Sequence, residues 1–298
     1  MDVTEANPML GEAELCDSRR SLLGEGPLWH AESHRVFWVD ILGKSVLWAD
    51  LRNGDAGGFD MPSHVGAVLP RENGRWWAFL VDGVYDFDEE TTHIRKVASF
   101  PHLLGPEALM TRANDAAVGP GGEVFCGTMA YDPDEHPGAG NLYSFDGATL
   151  TSVVDNVTIS NGLGWSADSS RMFYVDTTTQ QIDQFSYGQG GALSNRRVFA
   201  TIPQSLGSPD GLAVDSADHV WVALWGGGRV QRLAPDGSLA GYIRLPCDYV
   251  TSCAFAGEDL QDLIITTAAV DDEDNDAAGK LYSFRTSTPG LPPFMAQT

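Results

Sequence analysis

The chain predicts an all-β fold, a six-bladed β-propeller with four antiparallel strands per blade. Three observations carry this reading. Six segments of similar character, marked by Glu25, Gly66, Asn114, Asn161, Asp210 and Ser252, recur at steps of 41, 48, 47, 49 and 42 residues. A repeat of roughly 40–50 residues has the size of a propeller blade. Each marker is followed by a polar turn and then two β-rich runs with period-2 patterning, as expected of strands with one buried face. Finally, Asn53-Gly54, Asn73-Gly74, Asp146-Gly147 and Asp236-Gly237 supply the positive φ that tight hairpins need. No stretch carries a sustained helical stripe. A closed ring also protects its sheet edges; a β-sandwich or two stacked β domains would not need six similar units.

The first strand of each blade is read at 24–29, 65–69, 114–118, 161–165, 210–214 and 251–255. The second falls at 36–40, 75–80, 124–128, 172–176, 220–224 and 263–267, and the third, with aromatic alternation, at 46–49, 84–87, 142–145, 182–185, 230–233 and 281–284. Residues 1–20 read as a strand or tail that completes a blade. Residues 286–298, rich in Pro, Ser and Thr, read as ring closure or a trailing tail, so that 1–298 forms one domain.

Composition narrows the function. Eighteen basic against 41 acidic residues give a net charge of −23, which leaves little to neutralise phosphates and disfavours a nucleic-acid partner or an anionic membrane surface. No apolar run reaches the length of a membrane span. The acidic N-terminus has no apolar core of a secretory signal, so the expected location is cytoplasmic, with Cys16, Cys126, Cys247 and Cys253 as reduced thiols. A propeller closes its own core, and a monomer is expected.

Equivalent positions of a structural repeat occupy equivalent places in space. Glu25, Asn114, Asn161 and Asp210, each opening an inner strand, therefore converge on one mouth of the central channel. Taken singly, an Asn or Asp beside Gly is an ordinary turn residue; four at matched positions form a site. Two carboxylates about 5 Å apart repel by roughly 3 kcal/mol at an effective dielectric near 20. A divalent cation removes that repulsion. All-oxygen ligation suits Ca²⁺, Mg²⁺ or Mn²⁺ and permits Zn²⁺ or Fe²⁺, and few protein ligands leave positions for water or substrate. His30-Ala31-Glu32-Ser33-His34 falls in a hairpin turn, and the acidic run 271–276 lacks the spacing of a calcium loop. No nucleophile elbow, P-loop or dinucleotide fingerprint is present.

The motifs Leu23-Gly24-Glu25-Gly26-Pro27-Leu28-Trp29, Arg112-Ala113-Asn114-Asp115, Ser160-Asn161-Gly162-Leu163, Ser208-Pro209-Asp210-Gly211-Leu212 and Val250-Thr251-Ser252-Cys253-Ala254-Phe255 resemble, in order, those of the SMP-30/gluconolactonase/regucalcin family. The resemblance implies a six-bladed propeller that opens sugar lactones with one divalent metal. It implies Glu25, Asn161 and Asp210 as metal ligands, and Arg112 and Asn114 as groups that bind substrate or approach the metal. Two departures stand out. Ala113 replaces a larger residue or Pro, and the acid that contacts substrate after Gly127-Thr128-Met129 has no match. Tyr131, the substrate-binding candidate there, and Asp132 fall nearby, which leaves the sugar open. The implied mechanism has the metal polarise the lactone carbonyl, a water at or beside it attack, and Asp210 accept the proton. The alternatives are an aryl ester or organophosphate hydrolase on the same metal, and a calcium-binding propeller without turnover.

Overall fold

In the computed structural model of the chain, residues 8–101, 111–270 and 272–297 are described. Six sheets form, and each has its inner, second and third strands consecutive in the chain. The first blade runs Gly24–His30, Arg35–Asp40, Ser45–Asp50, Ala56–Asp60, and the second Val65–Pro70, Trp76–Leu80, Gly83–Phe87, Ile94–Ser99. The third is Thr111–Val118, Val124–Ala130, Gly140–Phe145, Leu150–Val157, and the fourth Ser160–Trp165, Arg171–Asp176, Gln181–Tyr187, Leu193–Thr201. The fifth is Ser208–Val214, Val220–Trp225, Arg229–Leu233, Leu239–Arg244. The sixth takes Val250–Ala256, Asp262–Thr267 and Leu281–Arg285 from the C-terminal end and its outer strand, Glu14–Asp17, from the N-terminal end. The six-bladed propeller expected from the repeats is therefore the observed architecture. One strand was not foreseen: Met9–Glu12 adds in parallel to the outer edge of the fifth blade.

The ring closes because hydrophobic surface is shared between blades rather than held within them. Phe37 packs on Trp76 across the first and second blades, ring centroids 4.5 Å apart, and Trp77 on Phe145 across the second and third at 5.1 Å. Phe125 meets Trp165 across the third and fourth at 5.9 Å, and Trp221 meets Phe255 across the fifth and sixth at 6.1 Å. Phe173 and Val175 join Leu212 and Val222 at the next seam, and Trp38 with Ala256 and Ile264 seals the last blade to the first. Burial of apolar area between sheets is the main term holding the ring together. Arg19 locks the seam, donating to Trp48 O and Gly57 O of the first blade while held by Asp17 of the sixth. The expected hairpin glycines Gly54 and Gly74 both take φ of 77°. All four cysteines are free thiols.

Strand direction sorts the loops. Inner strands start at the end of the channel where Glu25, Asn161 and Asp210 lie, so the loops that precede inner strands and those joining second to third strands form that mouth. The opposite end is crossed by the C-terminal segment. Gly290 N donates to Leu260 O, Ser216 N to Pro289 O, and Ala296 N to Pro70 O, and Arg232 Nη2 reaches Thr288 Oγ1 at 3.2 Å. This segment runs from the sixth blade to the second beneath the ring. Leu291 to Phe294 floor a channel cavity of about 180 Å³.

Candidate metal and substrate site

Every inner strand carries the same local irregularity. The register with the second strand slips between Glu25 and Leu28, Val65 and Ala67, Ala113 and Ala116, Ser160 and Leu163, Pro209 and Leu212, and Val250 and Ser252. A β-bulge re-aims the side chains at its extra residue. Glu25, Asn114, Asn161 and Asp210 lie at or beside these bulges, so the repeat sets their direction as well as their height. Gly26 has a φ of 53° within the first bulge, a region in which glycine is unstrained. Gly162 allows close approach: a Cβ there would lie 2.6 Å from Asp210 O of the neighbouring blade. The loops before two of the strands are tied down by carboxylates. Asp40 accepts from Leu22 N and Leu23 N at 2.9 and 3.0 Å, and Asp176 accepts from Thr158 N and Ile159 N at 3.2 and 3.0 Å.

Glu25, Arg112, Asn114, Asn161 and Asp210 are all buried, none more than 7% exposed. A hydrogen-bonded chain links three of them. Arg112 Nη1 donates to Asn114 Oδ1 at 2.6 Å, and Asn114 Nδ2 donates to Asn161 Oδ1 and Ser160 O, both at 2.9 Å. Asn161 Nδ2 in turn donates to Thr177 Oγ1 at 2.8 Å. Both amide hydrogens of Asn114 are thus committed to protein, and one lone pair of its oxygen remains. Asn161 keeps one lone pair on Oδ1, its orientation fixed from both sides.

Charge is concentrated here. Burial, then the charge of Asp115, push the Glu25 carboxyl up to about 8, against the opposing pull of Gly26 N–H and Arg112. Asp210 is raised well above the carboxylate range by burial, then by Glu25 and Asp115. Burial also raises Asp115 to about 6. Arg112 is drawn below its ordinary value by burial, against the charges of Tyr131, Glu25 and Asp210. Two carboxylates, Glu25 and Asp210, thus share the field of one guanidinium, with Asp115 adding negative charge to both.

The residues present fit a divalent cation. Asp210 Oδ1 is buried with no hydrogen-bond partner, an arrangement that is costly for an anion oxygen unless a cation meets it. Among the described residues no three His, Cys, Asp or Glu side chains gather as a metal set. The donors are instead two carboxylates and the Asn161 amide oxygen, a hard-oxygen set. Glu25, Asn161 and Asp210 are the residues that would hold the ion.

Tyr131 stands at the rim, 44% exposed, with its hydroxyl 2.9 Å from His64 Nδ1. The His30–His34 stretch turns at the opposite end of the channel, His30 Nδ1 lying 2.8 Å from Ser33 Oγ, and takes no part. Three residues of the site were given no role from the sequence. Asp115 was hidden beside Asn114, Thr177 directly follows the second-strand run ending in Asp176, and His64 directly precedes an inner strand. Place beside a repeat strand was the signal for Asp115 and Thr177; no signal in the sequence marked His64.

A ring of six blades with a buried acid–amide cluster at one channel mouth defines a β-propeller with a polar site in its central channel. Residues 23–269 match the family described as SMP-30/Gluconolactonase/LRE-like region. The chain belongs to that family. It is 34% identical over 290 residues to a pentonolactonase of Haloferax volcanii, covering 91% of this chain and 94% of the relative. It is 32% identical over 277 residues to a 6-deoxy-6-sulfogluconolactonase of Pseudomonas putida, covering 91% and 93%. A calcium-binding regucalcin structure from Agrobacterium tumefaciens superposes with a TM-score of 0.90 at 24% identity, over 97% of this chain and 99% of that one.

Proposed function

We propose that this protein hydrolyses the ring ester of a sugar lactone at the channel mouth, using one divalent cation held by Glu25, Asn161 and Asp210. It is a lactonase of its family, and the names of its relatives support a sugar lactone as substrate. The observation that carries the proposal is the orphaned Asp210 Oδ1, buried in the field of Glu25 and beside an amide network that ends in Asn161.

When bound, the cation balances the two carboxylates and draws electron density from the lactone carbonyl. The chain's own groups do the rest. Asp210 accepts a proton from the attacking water as its oxygen bonds to the carbonyl carbon. The ring C–O bond then breaks, and the proton passes to the departing oxygen, giving the hydroxy acid. Arg112, always charged, offers its remaining N–H groups to substrate oxygens, and Asn114 holds it in place. Asn114 also keeps a lone pair for a sugar hydroxyl. Orientation of this kind supplies much of a rate enhancement. The tail across the far end leaves the mouth as the route of entry.

Acid release from a panel of lactones, with chelated protein refilled by single metals and spontaneous opening subtracted, tests this reading. Turnover restored by one or more divalent ions is expected. A flat response across all lactones and metals would overturn it in favour of a propeller without turnover.

A further inference from the structure

We propose that His64 and Tyr131 form a specificity-determining pair that receives a hydroxyl of the lactone remote from its carbonyl. This rests on the lactonase reading above and deepens it. His64 ends the loop entering the second blade, and Tyr131 begins the loop after the second strand of the third, so both stand at the mouth. They meet across the blade boundary: Nδ1 and Oη are 2.9 Å apart and the ring centroids 5.7 Å. An exposed aromatic side chain pinned by a hydrogen bond to a neighbouring blade is a preorganised contact surface.

The chemistry of the pair does not depend on the imidazole tautomer. If the phenol donates to Nδ1, the ring presents Nε2–H as a donor and the phenol oxygen keeps a lone pair. If Nδ1–H donates to the phenol, Nε2 becomes the acceptor and the phenol O–H is the free donor. Either way one donor and one acceptor face outward, the complement of an alcohol, which is itself both. This requires a neutral imidazole. Burial first, then the positive charges of Arg112 and Lys44, hold His64 below its ordinary value. Arg112 also lies in the field of Tyr131, Glu25 and Asp210. A lactone with its carbonyl toward Asp210 therefore passes Arg112 on its way to the pair.

The test is steady-state kinetics of wild type, His64→Leu, Tyr131→Phe and the double variant, each loaded with metal. The substrates are a polyhydroxylated aldonolactone and an unsubstituted lactone of the same ring size. Each single variant is expected to raise KM for the hydroxylated lactone roughly 3- to 10-fold, the effect of one neutral hydrogen bond, with kcat nearly unchanged. Kinetics on the unsubstituted lactone should not move, and the double variant should lose little more than either single one. Equal losses on both lactones, or an unchanged KM on the hydroxylated one, would overturn the inference. If wild type opens neither lactone, the lactonase reading falls first; if it opens both and the variants keep its KM values, only this inference falls. Tyr131→Phe removes a single rim oxygen and carries the same prediction should His64→Leu fail to fold.

Discussion

Removing the proposed cation should make this protein's stability depend on pH in an unusual direction. Paired acids commonly stabilise a fold as pH rises; here the buried Glu25 is raised from 4.5 to about 8. A carboxyl raised in this way contributes fully below its unfolded value, and the contribution is lost as pH climbs toward the folded one. The window is therefore pH 4.5 to 8. Between pH 5 and pH 8, at 1.36 kcal/mol for each pH unit, the metal-free protein loses about 4 kcal/mol through this group. Unfolding entropy near 2.1 cal/mol/K per residue over the chain converts that into about 6 °C of Tm. A cation bound by the ionised carboxylates must displace the proton, so its stabilising effect grows over the same window. Calorimetric Tm measured at pH 5 and pH 8, with chelator and with saturating metal, reads the difference directly and cancels groups that titrate alike in both states. The gap between loaded and chelated protein should widen by at least about 6 °C, and Glu25→Gln should reduce the slope of the chelated curve, leaving the share due to Asp210 and Asp115. Parallel curves for the two states, with the same slope in the variant, would refute the claim that Glu25 is a buried carboxyl holding a proton in the place of a cation.

Other perturbations probe separate parts of the site. Asp210→Ala should abolish metal binding by calorimetric titration and lactone turnover together; turnover retained in that variant would refute its double role. Thr177→Val deprives Asn161 Nδ2 of its acceptor and should weaken metal binding about tenfold, as loss of a ligand-orienting partner does elsewhere; an unchanged Kd would remove Asn161 from the ligand set. Ending the chain at residue 286 strips Leu291 and Phe294 from the channel floor and should cost roughly 2–4 kcal/mol for two half-buried side chains. The lowered Tm should leave metal affinity at the mouth within a factor of a few.

What could be read from the sequence follows the repeat, and what could not lies where the repeat stops. Glu25, Asn114, Asn161 and Asp210 were visible because each occupies one position of a blade, and six copies of a strand define a direction better than one. The bulge that turns these side chains toward the axis was not visible. Its residues, Gly26-Pro27, Asp115, Gly162 and Gly211, read as turn punctuation in a linear chain, although the pairing shows slipped register at all six positions. The roles within the cluster were blurred for a related reason. Asn114 and Asn161 look alike in sequence, but one spends both amide hydrogens on its neighbours while the other is clamped from two sides. Only a three-dimensional donor count separates them.

The rim is a different case. His64 and Tyr131 come from loops of different kinds on adjacent blades, 67 residues apart, and no period relates them. The ring needs its inner strands alike in order to close, so they hold the acid–amide cluster nearly fixed. The mouth loops lie outside the strand pairing; some of their residues, such as Met61, anchor in the core between blades, but their rim residues are freer to vary. On the proposed reading, the ester chemistry belongs to the inner strands, and choice of sugar to loop pairs such as His64 and Tyr131. On this argument, exchanging the 61–64 loop between two relatives should move the ratio of KM values for different lactones while leaving the metal dependence of kcat with the host. A graft that changed the preferred metal and not the preferred lactone would break the division.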